Sequence, residues 1–316
     1  MAIRLSALKQ PSSFNSISND RKCNRVFQNA FYFFAACSCL FACAAAWAQP
    51  PEPTPTPDYA AVARMIPTEI EGTYKNGTLI KFEISGRGAY LVQPKGPVDP
   101  QRRWIITAPF WLSIKDGNGR FHHEYYDEIF LSKGFHLAGI NVGTSCGSPT
   151  AAELYQKFYE KMVKEYNLNP RVRLIAQSNG GLISYAWAFR NPKCVDRIFG
   201  ICPVTDFTTW PPGGLAQVIS APDPGLGFNM TVQELQERVK EFNPIDNLKP
   251  LAEAGVKIFH IHGDLDTLVP MDRNSEELLK RYKEFGGQAE LEVLKGLGHG
   301  GTILYENKRA VEFLTE

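Results

Sequence analysis

The chain has 316 residues, of which 44% are hydrophobic and 21% are charged, close to the average of soluble globular proteins. That composition excludes a wholly disordered chain, a collagen-like fibre and a protein with many membrane spans. Lys plus Arg number 34 and Asp plus Glu number 33, so the net charge is +1. A neutral balance gives no electrostatic reason to expect a nucleic-acid partner.

The first 48 residues have the parts of a secretory signal peptide. Basic residues precede an uncharged run at 30–48, which ends in the A-W-A of residues 46–48. Because small residues at that end suit a signal peptidase, we expect cleavage after Ala48 and an exported protein. The same run could instead anchor the chain in a membrane. Lipoprotein processing at Cys43 is a further alternative, which Phe41 fits poorly.

Residues 49–57 read QPPEPTPTP, which is typical of an extended, proline-rich linker. Residues 58–316 would then form one domain, of a size that a single hydrophobic core can support. Cys146, Cys194 and Cys202 remain in it, so at least one thiol is free or bonded to another molecule. Cys194 and Cys202 could form a disulfide in an oxidising compartment, but we favour two buried thiols. No C-x-x-C pair with histidine partners appears, so the sequence predicts no zinc site.

From residue 80 onward, short apolar runs alternate with segments of helical periodicity. The apolar runs predict strands at 82–84, 89–92, 104–107, 136–142, 172–176, 197–202, 256–261 and 291–294. The periodic segments predict helices at 125–133, 151–166, 181–189, 275–285 and 303–314. The first two strands flank a glycine-containing turn and should form a hairpin. Apolar strands that alternate with helices predict an α/β fold, with a mostly parallel central sheet and helices on both faces.

In such sheets ligands bind beyond the carboxyl ends of the strands, so the loops that follow strands are the candidates for chemistry. After the strand at 172–176, the chain reads A-Q-S-N-G-G at 176–181 and then enters a helix. This fits G-x-S-x-G with alanine in the first position, a tight and strained turn that exposes a serine hydroxyl. Ser178 is therefore the candidate nucleophile. The alternative is a serine that caps the helix.

A serine hydroxyl needs a base to accept its proton, and the base needs a carboxylate to orient it. Two later loops after strands contain these residue types: H-G-D-L-D-T-L-V-P at 262–270 and G-L-G-H-G-G at 296–301. The order serine, acid, histidine favours His299 as the base and Asp266 as the acid. We expect Asp264 to stabilise its loop, and Asp206 is a less favoured acid. The other histidines precede the acid or lie in strands, and fit the base poorly: His122, His123, His136, His260 and His262.

With these motifs the chain resembles the α/β-hydrolase superfamily, and within it the catalytic domain of prolyl oligopeptidase-like serine hydrolases. The resemblance covers about residue 80 to the C-terminus and rests on A-x-S-x-G-G at 176–181, H-G-D-x-D-x-x-V-P at 262–270 and G-x-G-H at 296–299. It implies an α/β-hydrolase fold, a triad of Ser178, Asp266 and His299, and no metal or organic cofactor. True oligopeptidases also carry a β-propeller, for which residues 49–80 are too short.

Many relatives have a His-Gly segment after an early central strand, and a backbone N–H of that segment helps to form the oxyanion hole. Here the corresponding place reads T-A-P-F-W at 107–111, and Pro109 has no N–H to donate. We therefore expect the backbone N–H groups of Asn179 and Phe110 to form the oxyanion hole, with Trp111 as the substitute for Phe110.

The segment 207–245 is the longest one between predicted strands, and we expect it to form a short cap insertion at the active edge. A helix is predicted over 231–242, where Thr231 and Glu234 fit a capping box. Aromatic residues near this edge could bind the substrate or could pack the cap onto the body, and Cys146 could face the cleft. The predicted substrate-binding residues are Trp111, Cys146 and Trp210, with Phe110 beside them.

These features predict an exported serine hydrolase that cleaves an ester, or an amide, through an acyl-enzyme. One alternative is a serine peptidase of prolyl oligopeptidase-like type, and another is a non-catalytic binding protein on the same fold. The expected partner is a small-molecule ester or a short peptide, with no nucleic acid, and no membrane unless the leader is retained. The sequence leaves the acyl group, the leaving group and the oligomeric state open.

Overall fold

The computed structural model describes residues 72–109 and 123–316. The predicted signal peptide at 1–48 and the predicted linker at 49–57 lie outside the described residues, as do Phe110 and Trp111. Within the two described ranges, the helices are all too short or too polar to cross a membrane.

The described residues contain eight strands and nine α-helices. The strands are β1 Gly77–Ile84, β2 Arg87–Pro94, β3 Trp104–Ala108, β4 His136–Ile140, β5 Val172–Gln177, β6 Val195–Ile201, β7 Lys257–Gly263 and β8 Ala289–Leu294. The helices are α1 Glu124–Ser132, α2 Pro149–Lys164, α3 Gly180–Ala188, α4 Gly214–Ser220, α5 Val232–Glu237, α6 Val239–Phe242, α7 Lys249–Glu253, α8 Ser275–Glu284 and α9 Lys308–Thr315.

The eight strands form one sheet in the order β1-β2-β4-β3-β5-β6-β7-β8. The pairs β1·β2 and β2·β4 are antiparallel, and all pairs from β4 to β8 are parallel. Every residue of β3, β4 and β5 is buried. The predicted mostly parallel sheet, covered on both faces, is therefore confirmed.

Two apolar clusters form the core, one on each face of the sheet. One contains Phe158 of α2 and Tyr282 of α8, and the other contains residues of α1 and Phe313 of α9. Because side chains alternate along a strand, Ile106 of β3 belongs to the first cluster and Ile105 to the second. The apolar runs in the sequence thus divide between two helical layers.

The predicted hairpin is confirmed, but one helix begins later than predicted. β1 and β2 are joined by Ser85 and Gly86, whose φ angles of 51° and 74° suit a two-residue hairpin turn. The predicted helix over 303–314 is wrong in its first turn: the chain forms a 3₁₀ turn there, and α9 starts at Lys308. Asn307 sets this start, because its side chain accepts the N–H of Ala310 at 2.9 Å.

The segment 207–245 contains the predicted capping box, but its helix is divided. The hydroxyl of Thr231 accepts the N–H of Glu234, and the Glu234 side chain accepts the N–H of Thr231. Arg238 departs from helical geometry, with φ −113° and ψ 15°, and so separates α5 from α6. The segment packs through a third apolar cluster, which includes Phe228 and Phe242.

Polar contacts fasten the segment 207–245 to earlier parts of the chain. Arg87, at the start of β2, forms an ion pair with Asp223 at 2.8 Å. The hydroxyls of Thr144 and Ser148, in the loop after β4 and at the start of α2, donate to backbone carbonyls of the segment at 2.7 and 2.5 Å. The segment is thus bonded to the loop after β4, at the carboxyl edge of the sheet.

The three cysteines within the described residues are Cys146, Cys194 and Cys202, and all three are free thiols. Cys202 is buried, whereas Cys194 is only partly buried, so the expectation of two buried thiols holds for Cys202 and not for Cys194.

Candidate active site

Ser178 follows the last residue of β5, at the carboxyl edge of the sheet. Its φ of 49° lies in the left-handed region, which residues other than glycine rarely adopt. Backbone hydrogen bonds hold it there: its N–H donates to Ile201 at 3.0 Å, and its carbonyl accepts from Gly181 at 2.9 Å and Val204 at 2.8 Å. The neighbouring strand β6 and its loop therefore impose the strained turn that presents the hydroxyl.

The two glycines after Ser178 allow α3 to start against neighbouring backbone. A Cβ on Gly180 would lie 1.9 Å from the carbonyl oxygen of Ala108, and a Cβ on Gly181 would lie 2.3 Å from that of Val204. Real Cβ atoms do not approach backbone this closely, and neither carbonyl belongs to a flexible side chain. The glycines of the motif therefore have a packing role beside Ser178.

We expect Gly180→Ala to lower the free energy of unfolding by about 3 kcal/mol or more, because the added methyl forces α3 away from the end of β3. Urea unfolding followed by circular dichroism measures the change. Gly96→Ala is the matched control, since a Cβ at Gly96 would meet nothing within 4 Å. A loss below about 1 kcal/mol for Gly180→Ala would mean that the turn relaxes freely.

His299 lies between Ser178 and Asp266. Its Nε2 is 2.9 Å from Ser178 Oγ, and its Nδ1 is 2.6 Å from Asp266 Oδ2. The side chain of Asp266 is fully buried, whereas that of His299 is 21% exposed and so remains accessible. Because a carboxylate only accepts hydrogen bonds, Nδ1 carries the proton and Nε2 can accept the hydroxyl proton. The structure thus brings the three residues of the predicted triad together in one line.

The surroundings of Asp266 keep it ionised. Burial by itself would raise the pKa of this carboxyl, but contacts with His262 and His299 and backbone hydrogen bonds outweigh burial and hold the pKa well below its usual value. Its Oδ1 accepts the N–H groups of Leu268 at 3.0 Å and Val269 at 2.9 Å. A fixed negative charge beside Nδ1 is what a histidine needs to become a stable cation during proton transfer.

The two other candidate acids make different contacts. Asp264 accepts the N–H of Gly296 at 2.7 Å and lies 3.3 Å from the Lys295 ammonium, so it joins the acid loop to the loop of His299. Asp206 accepts from the side-chain amide of Asn243 at 2.9 Å, within the segment 207–245. These contacts are those of residues that stabilise loops.

The predicted oxyanion-hole donors are only partly described. Asn179 follows Ser178, and within residues 72–109 and 123–316 no oxygen accepts its backbone N–H. Phe110 and its substitute Trp111 lie outside the described residues, so the second donor stays a prediction. Asn179 also lies directly before the first residue of α3, where the N-terminus of the helix favours negative charge.

Cys146 and Trp210 lie against the third apolar cluster. Cys146 is 2% exposed and shares this cluster with Leu182 and Phe207, so its thiol is buried and does not face an open cleft. Burial raises its pKa to about 12, which makes it a poor nucleophile. Trp210 is half-buried against the same cluster, which favours the packing role over the substrate-binding one.

Sequence inspection missed the polar residues around Asp266. His262 Nε2 lies 3.2 Å from Asp266 Oδ2, and the thiol of Cys202 also lies nearby, so that a thiol, an imidazole and a carboxylate converge within 4.8 Å. Such a set could hold a metal ion, but His262 Nε2 is 2.9 Å from the carbonyl oxygen of Val269. A carbonyl only accepts, so this nitrogen carries hydrogen and is not a free ligand.

The signal that could have found His262 is its spacing from His260. Residues two apart on a strand point to the same face, so both rings leave β7 on one side, towards the start of α8. Their position within a strand led us only to discount them as the base.

No protein-family model and no curated protein sequence matches the chain, but solved structures match its fold. A puromycin-hydrolyzing peptidase of Mycobacterium tuberculosis superposes over 75% of this chain with a TM-score of 0.55 at 14% identity. An acylaminoacyl peptidase of Pyrococcus horikoshii does so over 75% with a TM-score of 0.56 at 15% identity. A truncated carbohydrate esterase from gut microbiota does so over 78% with a TM-score of 0.56 at 17% identity.

The chain spans 39% and 41% of the lengths of the two peptidases and 98% of the truncated esterase. At identities this low, the likeness concerns the fold. The mostly parallel sheet, the serine on the turn after β5 and these neighbours agree with one another. The chain therefore has the α/β-hydrolase fold and, as its motifs predicted, resembles the catalytic domains of prolyl oligopeptidase-like hydrolases.

Proposed function

We propose that the chain is a serine hydrolase that cleaves an ester, or an amide, through an acyl-enzyme. One observation carries the proposal: His299 has its Nε2 2.9 Å from Ser178 Oγ and its Nδ1 2.6 Å from a buried carboxylate of Asp266. This is the geometry in which a base can accept a serine proton while a charge behind it stabilises the resulting cation.

In the first half of the proposed reaction, Ser178 Oγ attacks the carbonyl carbon of the substrate and gives its proton to His299 Nε2. The carbonyl oxygen becomes an oxyanion, which the backbone N–H of Asn179 and a second donor, proposed at Phe110, stabilise. The tetrahedral intermediate then collapses. The leaving group departs with the proton from His299, and the acyl group stays bonded to Ser178 Oγ.

In the second half, water attacks the acyl carbonyl and gives a proton to His299 Nε2. Collapse of this second intermediate breaks the bond to Ser178 Oγ, releases the carboxylic acid and returns the proton to Ser178. Asp266 keeps its negative charge throughout and stabilises the cationic form of His299 in both halves.

An ester is the favoured substrate, because an alcohol leaves more easily than an amine and an unspecialised site tends to hydrolyse esters first. The likeness to a carbohydrate esterase supports this choice. The likeness to the two peptidases supports the alternative, a serine peptidase of prolyl oligopeptidase-like type.

The test combines a fluorophosphonate probe with two substrate classes on the full chain. We expect the native protein, and not the heat-denatured protein, to be labelled. We also expect kcat/KM for short p-nitrophenyl esters to exceed that for peptide p-nitroanilides by about tenfold or more, which is about 1.4 kcal/mol in transition-state stabilisation. Faster anilide hydrolysis would favour the peptidase. A folded protein that takes no label would favour the non-catalytic binding protein.

Export, a single domain over 58–316 and a cap formed by 207–245 belong to the same proposal. The basic start, apolar run and A-W-A end of the first 48 residues support export and cleavage after Ala48. The contacts of the segment 207–245 with the loop after β4 support its placement near the substrate.

A further inference from the structure

A continuous chain of buried polar side chains leads to the turn that holds Asp266. Tyr185 of α3, His260 and His262 of β7, and Ser275 of α8 are all 0% exposed. Tyr185 Oη lies 2.8 Å from His260 Nε2, and Ser275 Oγ lies 3.0 Å from His260 Nδ1 and 2.8 Å from His262 Nδ1. Polar groups are costly to bury, so four in one unbroken chain require a physical reason.

When both imidazole rings are neutral, the hydrogen bonds that link these four side chains can run in only one direction. His262 Nε2 faces the carbonyl oxygen of Val269 at 2.9 Å, so it carries hydrogen and His262 Nδ1 must accept. The hydroxyl of Ser275 therefore donates to His262 Nδ1. Its oxygen is left to accept from His260 Nδ1, and His260 Nε2 accepts from the hydroxyl of Tyr185.

If these hydrogen bonds ran in the opposite direction, one buried donor would be left without an acceptor. It requires His262 to be a buried cation, and it makes Tyr185 accept from His260. The hydroxyl proton of Tyr185 would then have no acceptor among the residues that the structure describes. Burial also lowers the pKa of His260 to about 3, in keeping with a neutral ring.

The series of hydrogen-bonded side chains ends at the turn that orients Asp266. His262 donates to the carbonyl of Val269, and the N–H of Val269 in turn donates to Asp266 Oδ1 at 2.9 Å. The same imidazole nitrogen lies 3.2 Å from Asp266 Oδ2, the oxygen that accepts from His299. Rotation of the carboxylate away from His299 would therefore disturb contacts on both of its oxygens.

We propose that His262, held by Ser275 and His260, is a positioning residue that fixes the turn at 266–269 and so aims Asp266 at His299. The proposal rests on the proposed function of Ser178, Asp266 and His299. Because His262 acts on the base through Asp266, its loss should slow proton transfer and leave substrate binding unchanged. Small misplacements of a catalytic group can cost as much as about 100-fold in rate, so the effect should be visible in kcat rather than KM.

The first test needs no variant and no activity. Nitrogen-15 NMR of the imidazole rings in the folded full chain distinguishes the two neutral tautomers. We expect the proton of His260 on Nδ1 and that of His262 on Nε2. A proton on His260 Nε2, with His262 doubly protonated, would reverse the chain and overturn the proposal.

The second test is Ser275→Ala, which removes the link between the two rings. We expect kcat for an ester to fall by about tenfold and KM to stay within about twofold. Ser184→Ala is the matched control, because Ser184 is a 1% exposed serine whose hydroxyl has no partner in the described part of the chain. The kcat of this variant should differ from that of the parent by less than about twofold. Equal effects of the two substitutions would overturn the proposal.

Two substitutions of His262 give the sharper comparison. The longer amide of His262→Gln can still donate towards Val269 and Asp266, whereas the shorter amide of His262→Asn reaches only towards Ser275. We expect kcat to fall by about 100-fold for Asn and about tenfold for Gln. Similar losses for both would indicate a merely structural histidine.

A parent protein that takes no fluorophosphonate label would refute the proposed function itself, whereas a labelled parent with insensitive variants would refute only the positioning role.

Discussion

Ser178→Ala should lower kcat for an ester by about 10⁵- to 10⁶-fold and abolish labelling by a fluorophosphonate probe. The reason is that the acyl group has no oxygen to bond to once Oγ is removed, so catalysis falls to what binding and the oxyanion donors supply. The fold should persist, because the backbone bonds of residue 178 to Ile201, Gly181 and Val204 do not involve its side chain. Burst kinetics and mass spectrometry of the labelled peptide measure the effect.

Cys146→Ala is the control for the Ser178 substitution. The Cys146 thiol is buried in an apolar cluster and its pKa is raised to about 12, so its removal should leave labelling per folded molecule unchanged. Labelling that survives in Ser178→Ala and disappears in Cys146→Ala would move the nucleophile to the loop after β4. Labelling that survives in both would place it elsewhere in the chain.

The convergence of Ser178, Asp266 and His299 could be predicted because their order in the sequence and their positions after strands constrain where they lie. Parallel strands end at one edge of the sheet, so Ser178 after β5, Asp266 after β7 and His299 after β8 must approach one another there. The choice between Asp264 and Asp266 was harder, since both belong to the same loop. It depends on which carboxylate turns inwards, and the N–H groups of Leu268 and Val269 determine that.

The features that could not be predicted depend on contacts between distant segments. In the sequence, His260 and His262 are two polar residues within an apolar strand. Only the packing of α8 on β7 brings Ser275 between their rings. The late start of α9 has a similar cause. The turn before it is fixed by Tyr126 of α1, whose hydroxyl donates to the carbonyl of Leu304 and accepts the N–H of Asn307. Local periodicity carries no record of such long-range hydrogen bonds.

The packing of the two glycines after Ser178 shows that the strained turn at Ser178 depends on neighbouring strands at the carboxyl edge of the sheet. Gly180 contacts the end of β3, and Gly181 contacts the loop after β6. The strained φ of Ser178 is therefore maintained by the two strands that flank β5 in the sheet. A change at any of these contacts should move the hydroxyl of Ser178 relative to His299.

Asp266→Asn should lower kcat by about 10⁴-fold while the protein stays folded. The amide oxygen of asparagine can still accept the N–H groups of Leu268 and Val269, so the turn keeps these two hydrogen bonds. The amide NH₂ then faces His299 Nδ1 and donates to it. The ring must take the tautomer with hydrogen on Nε2, and it can no longer accept the proton of Ser178.

Asp264→Asn is the matched control, because the two carboxylates belong to one loop and the substitution is chemically identical. Asp264 holds Gly296 and Lys295, so its replacement should change kcat by less than about threefold. Steady-state kinetics with a p-nitrophenyl ester, at enzyme concentrations corrected for folded protein, compare the two variants. A large loss for Asp264→Asn with a small one for Asp266→Asn would make Asp264 the acid, and equal small losses would mean that His299 works without a carboxylate partner.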